Sequence, residues 1–238
     1  MRGEFSGQIV ARKQRQQGLR GYVACMRRPA LRLLAATPLI YALACGGAGA
    51  PQTPPQPAEH SLAGLAAQHI AVLPAYAVKI VPPLDWSVGR LTDVQRTVDA
   101  DIVSAFAERG IKAWVFPEQI LAAHKRNPTY STDPYDFAEE PLRAPKLAID
   151  ERIAEPLATQ IRTMVALLPD TRFVLAPVEL RLERAGTGGR GVLRLVLVDA
   201  RLSNVRWVGE ISSDTSATFG PAITASIAAR LAAAVATQ

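Results

Sequence analysis

Thirteen residues, GGAGAPQTPPQPA at positions 46–58, constrain this chain more than any other stretch. Pro51, Pro54, Pro55 and Pro57 lack backbone N–H donors, and the glycines before them resist ordering. Neither a helix nor a central strand can run through such a segment. It reads as a linker, flexible at its start and extended towards its end. In polyproline geometry, at about 3.1 Å per residue, it reaches on the order of 40 Å. The 238-residue chain is thereby divided into a leader and one body of domain size.

The two parts differ in charge. The whole chain carries a formal +6. Arg2, Arg12, Lys13, Arg15, Arg20, Arg27, Arg28 and Arg32 precede Cys45, against the single Glu4. The remaining 19 Lys and Arg are balanced by 20 Asp and Glu, and they are dispersed. Binding to a phosphate backbone needs clustered basic charge, so no nucleic-acid partner is expected for the body. Hydrophobic residues at 49% allow a packed core, which excludes disorder throughout. Two cysteines are too few for a disulfide scaffold or a thiolate zinc cluster.

Within the leader, Met26-Arg27-Arg28-Pro29-Ala30-Leu31-Arg32 supplies positive charge. An uncharged run of 12 residues, Leu33 to Ala44, follows. That run is too short to cross a bilayer as a helix, and its flanks fit a secretory signal peptide over 26–44. Residues 1–25 read as an upstream extension, with Met26 the expected start. Arg27-Arg28 stands without the rest of a twin-arginine motif, which favours the general export route. The ending Ala42-Leu43-Ala44-Cys45 resembles a bacterial lipobox. The resemblance implies that Cys45 is acylated, palmitate included, and becomes the new N-terminus after cleavage. Several acyl chains anchor a protein stably to a membrane. Gly46, standing where a retention aspartate would be, implies the outer membrane, with the body facing the periplasm.

Residues 45–64 are thus expected to be a lipidated cysteine and tether, and 65–238 a folded domain. Ile70-Ala71-Val72-Leu73-Pro74 reads as a buried strand, resuming at Ala77–Val81. Thr92 and Gln95 fit a capping box ahead of Val94, Val98, Ile102 and Phe106 at helical spacing, with Gly110 as the stop. Ile111–Phe116 reads as a strand and Pro117–Lys125 as a short helix. A polar loop spans 127–148, a length that marks function or mobility. Ile153, Leu157, Ile161, Val165 and Leu168 mark a helix that begins or kinks at Pro156. Val178, Leu180 and Leu182, then Leu193, Leu195 and Leu197, then Val205, Trp207, Gly209 and Ile211 read as an antiparallel meander. Its first turn falls at Gly186–Gly191. Gly220-Pro221 opens a last helix with Ile223, Ile227, Leu231 and Val235 on one stripe. The fold class is α/β (α+β): a single mixed sheet of about five strands, helices packed on it, and a C-terminal meander followed by a helix.

Three segments carry a wider resemblance over roughly residues 68–237. They are the opening Ile70–Pro74 strand; Phe106-Ala107-Glu108-Arg109-Gly110-Ile111 leading to Pro117-Glu118-Gln119-Ile120-Leu121; and the hairpin of Leu195–Arg201 with Val205–Glu210. In this order they resemble the curli-secretion (CsgG-type) lipoproteins, the penicillin-binding-protein activator lipoproteins and the amino-terminal domain of the Tol propeller protein. The resemblance implies a non-enzymatic envelope module that binds another envelope protein or assembles with itself.

The sequence carries few signatures of chemistry. Gly186-Thr187-Gly188-Gly189-Arg190-Gly191 is followed by a strand, so it is a hairpin turn and not a nucleotide loop. His60, His69 and His124 lie too far apart for a metal pair, and no nucleophile elbow is present. No cofactor is expected. Asp99 and Asp101, two apart, cannot share a helix face. Glu139 and Glu140 read as solvated. With Asp133 and Asp136 they lack the regular spacing of a calcium loop. Tyr130, Tyr135 and Phe137 are the loop's candidate interaction residues, either as exposed anchors or folded back on the domain. Trp114 and Trp207 are expected in the core. The leading reading is a membrane-anchored, non-enzymatic binding or assembly module. A self-assembling export component and a cell-envelope hydrolase are the alternatives.

Overall fold

The computed structural model describes residues 62–237. Cys45, the expected signal peptide and the proline-rich stretch lie outside them. Two short strands, β1 (Ile70–Val72) and β2 (Val78–Ile80), precede α1 (Leu91–Glu108) and α2 (Pro117–Arg126). After the 127–148 loop come α3 (Leu157–Ala166), β3 (Phe173–Ala185), β4 (Gly188–Asp199), β5 (Asn204–Ser212) and α4 (Pro221–Ala236). The class is α/β, with one mixed five-stranded sheet. β1 and β2 lie in succession along one edge of β3, both parallel to it, while β4 and β5 continue the sheet antiparallel. The edge strand is therefore one strand interrupted at Leu73–Ala77, as its two apolar runs imply.

Alternation along the strands buries both faces. Leu175, Leu180, Leu193 and Leu195 face α1 and α4. Val174, Ala176, Val196 and Val198 face α2, α3 and the loop. The result is three layers, with Val94, Val98, Ile102 and Phe106 of α1 meeting Ile223, Ile227 and Leu231 of α4 on one side. Phe106 also packs its ring against Trp114 and Phe116, at centroid distances of 4.7 and 5.7 Å.

Several expectations need correction. Ile111–Phe116 is not a strand. Only Val115 pairs, through one bridge to Ala71 and backbone bonds of 2.8 Å with Ile70 and Val72. Gly188–Gly191 is strand, and the turn is only Gly186 and Thr187, with Gly186 at φ 59. Val178 and Leu180 sit on opposite faces because the β3–β4 register shifts between Pro177 and Glu179. A second shift, at Leu197–Val198, leaves Arg206 extra and turns Val205 and half-buried Trp207 to opposite faces. Thr92 does not cap α1, whose N-cap is Arg90 without a side-chain bond. Of the two readings at Pro156 the start holds and the kink does not: Pro156 is the N-cap of α3. Leu62, three residues before the expected start of the domain, is already buried in the core.

Candidate functional site

The 127–148 loop has structure of its own. It contains two 3-10 turns, Pro134–Asp136 and Glu140–Arg143. The first is set by Asp133, whose Oδ1 accepts from the Tyr135 N–H at 3.0 Å. Its apolar residues turn inward. Phe137 and Leu142 are buried among Ile120, Ile161 and Val178. Phe137 is thus a core residue and is unavailable at the surface. Tyr130 and Tyr135 are 55% and 50% exposed.

Polar contacts tie the loop to three elements. Gln160 of α3 accepts from the Ala138 N–H at 3.0 Å. Arg143 donates to Glu179 of β3 at 2.8 Å, and Arg194 of β4 donates to the Ala144 carbonyl at 2.6 Å. The Tyr76 hydroxyl donates to Glu140 at 2.7 Å, and Arg143 lies 6.0 Å from the Tyr76 ring centroid. The bond to Glu140, then burial, holds the Tyr76 hydroxyl above the ordinary range.

The other wall of the site is the break between β1 and β2. Pro177 in β3 has no N–H for the ladder, and its carbonyl accepts from the Tyr76 N–H at 3.0 Å. The backbone freed at the break is satisfied by α1. Asp99 Oδ1 accepts from the Ala75 N–H at 2.8 Å. Gln95 Nε2 donates to the carbonyls of Ala75, at 3.0 Å, and Tyr76. Gln95 therefore clamps the interrupted strand and has no part in a helix cap.

Between loop and break lies a cavity of about 540 Å³, lined among others by Tyr76, Gln95, Arg96, Tyr135 and Glu139. Glu139 is only 1% exposed, and its Oε2 has no hydrogen-bond partner. Asp99 Oδ2 is likewise buried without one. Burial pushes the Asp99 carboxyl up from 3.8 to about 6, the Ala75 N–H opposing. Burial and then the charge of Asp99 push Glu139 well above the usual carboxylate range.

The expected solvated pair Glu139–Glu140 is therefore split. Glu140 stays largely in solvent and holds Tyr76, while Glu139 is sealed inside. Asp133 is occupied as a turn residue, so the four loop acids do not converge. Among the described residues no group of three or more His, Cys, Asp or Glu side chains could hold a metal ion. No described helix is long and apolar enough to cross a membrane. The meeting of Asp99 with Glu139 across 40 positions has no local signature in the sequence.

No family model matches this chain, and no curated protein matches it. Among solved structures, the PelC dodecamer from Paraburkholderia phytofirmans is similar at 13% identity, over 73% of this chain and 90% of that one, with a TM-score of 0.33. The LpoB C-terminal domain from Escherichia coli is similar at 12% identity, over 64% and 87%, with a TM-score of 0.36. Lipoprotein GNA1162 from Neisseria meningitidis is similar at 16% identity, over 63% and 84%, with a TM-score of 0.29. Likeness of this degree transfers neither an activity nor a partner from those proteins to this chain.

Proposed function

We propose that this protein is an envelope lipoprotein, anchored through Cys45 to the outer membrane, whose periplasmic α/β domain binds another envelope protein without catalysing a reaction. The observation that carries the binding role is the pinned loop. A loop of this length, fixed to α3, β3 and β4, presents Tyr130 and Tyr135 to solvent with little ordering left to lose on binding. Rigid exposed tyrosines are favoured interface anchors. The leader supports the address: basic start, 12-residue apolar run, Ala42-Leu43-Ala44-Cys45 and a tether of on the order of 40 Å.

The test is site-specific photo-cross-linking in intact cells, from probes placed at Tyr130, at Tyr135 and, as control, at exposed Leu202. The expected result is one dominant protein adduct from the loop positions, absent from Leu202 and lost in Cys45→Ser. Equal labelling from all three positions would overturn the loop as interface. Adducts only to a second copy of the chain would replace partner binding with self-assembly.

A further inference from the structure

Glu139 combines near-complete burial with an unpartnered carboxylate oxygen, and it faces a cavity instead of packed side chains. A second carboxylate oxygen, Asp99 Oδ2, is buried and unpartnered, and although Asp99 does not line the cavity its charge acts on Glu139. Buried polar atoms in folded proteins are almost always hydrogen-bonded, and buried charges are paired. A proton on Glu139 removes the charge but creates an O–H donor that itself needs an acceptor. An ammonium group answers both needs, because it brings opposite charge and three donors to a point.

The rest of the lining fits such a guest. Tyr76 and Tyr135 are walls of the cavity, and aromatic rings attract cations. The volume of about 540 Å³ accommodates an alkyl chain behind the charged head. Among the described residues only one cation, Arg96, lines the cavity, and it is exposed. We propose that the cavity beneath the loop is a binding site for an alkylammonium group, with Glu139 as its counter-ion and Asp99 as the second carboxylate. A lysine side chain of another protein and a free amine share this chemistry. The site shares Tyr135 with the interface proposed above, but Glu139 and Asp99 take no part in that interface, so either can fail alone.

The test is calorimetric titration of the full-length protein in detergent, at pH 8 and constant ionic strength, with n-butylammonium chloride. Saturable one-to-one binding is expected, with n-butanol giving none. Glu139→Gln should weaken binding at least tenfold, in protein shown to be folded by its circular dichroism. Asp99→Asn, which retains an oxygen for the Ala75 N–H, should weaken it by a smaller factor and stands in if Glu139→Gln fails to fold. No saturable binding to the wild type, undiminished affinity in both variants, or equal binding of n-butanol would overturn the site. Binding gained only in Arg96→Ala would also overturn it, since Arg96 would then be the internal counter-ion. Nα-acetyl-lysine amide separates the sources: affinity equal to that of butylammonium points to a lysine side chain, and rejection points to a free amine.

Discussion

Asp199 and Glu139 are both sealed from solvent, at 0% and 1% exposure, yet the chain treats them in opposite ways. Asp199 ends β4. Its Oδ2 accepts from Arg172 Nε and Nη2, at 2.9 and 2.6 Å. Its Oδ1 accepts from the backbone N–H groups of Arg201 and Leu202, at 3.0 and 3.2 Å. Burial pushes this carboxyl up, but the Arg172 bond and the backbone donors outweigh it and leave the group below its ordinary range. Glu139 has no such donors and is driven upward. The meander is closed and self-sufficient. The edge at the strand break carries two buried carboxylate oxygens without a hydrogen-bond partner, and such local violations mark functional sites.

Removing the satisfied carboxylate should have the largest effect. Asp199→Ala strips two backbone donors and Arg172 of their acceptor, at a cost of about 2–4 kcal/mol at pH 7. Chemical denaturation measures it. Because the folded-state pKa is lowered, the stabilisation is present above the unfolded value and fades as pH falls through the folded one. The deficit should therefore shrink in acid. A deficit under about 0.5 kcal/mol at pH 7, within ordinary surface-mutation scatter, would erase the contrast.

At the strand break the sign should reverse. Asp99 is raised from 3.8 to about 6, so the folded state holds its proton more tightly than the unfolded state does. Stability is then lost as pH rises from about 4 to 6, by roughly 3 kcal/mol at most. Asp99→Asn keeps the oxygen that accepts from Ala75 and removes the charge. The variant should be more stable than wild type by about 1–3 kcal/mol at pH 8 and equal to it at pH 4. Denaturation midpoints at the two pH values decide it, and a variant less stable at pH 8 would mean that the charge is compensated.

A smaller effect is expected where the loop is tied to the meander. Arg143→Met frees Glu179, 13% exposed, whose other cation, Arg181, is 3.9 Å away. The loss should be about 1–2 kcal/mol, with faster amide exchange confined to 134–143. Unchanged exchange there would show that buried Phe137 and Leu142 alone hold the loop.

The meander, α1 and α4 were legible because their apolar residues keep a strict period, as in Val94-Val98-Ile102-Phe106 and Leu193-Leu195-Leu197. The bulges were not. Each adds one residue, which preserves the alternating letters but exchanges the faces beyond it, as between Val178 and Leu180. Gly188 and Gly191 looked like a turn because glycine is a turn residue. Here they are strand residues where neighbours crowd in, and a Cβ would stand 2.2 Å from the Ser216 carbonyl oxygen at Gly188 and 2.9 Å from Ile223 at Gly191. Ile111–Phe116 has the apolar content of a strand, but only Val115 finds a partner. The site was least legible of all. Gln95 and Asp99 read as residues of their own helix, and what gives them a role is the break at Leu73–Ala77, visible only once β3 lies alongside.

The smallest effect on folding is expected at Tyr130, and it separates the two regions most finely. Its side chain is 55% exposed, and it donates no bond that the loop needs, so Tyr130→Ala should shift stability by no more than about 0.5 kcal/mol. Were the loop only a covering for the α2–α3 face, the substitution would have no consequence at all. If the loop is an interface, cross-linking from a probe at Tyr135 should fall while the denaturation curve stays in place. Tyr130 does not line the cavity, so butylammonium affinity should also be unchanged. A variant that lost both the cross-link and the cation site would join loop and cavity into one binding surface, with the buried carboxylate at its centre.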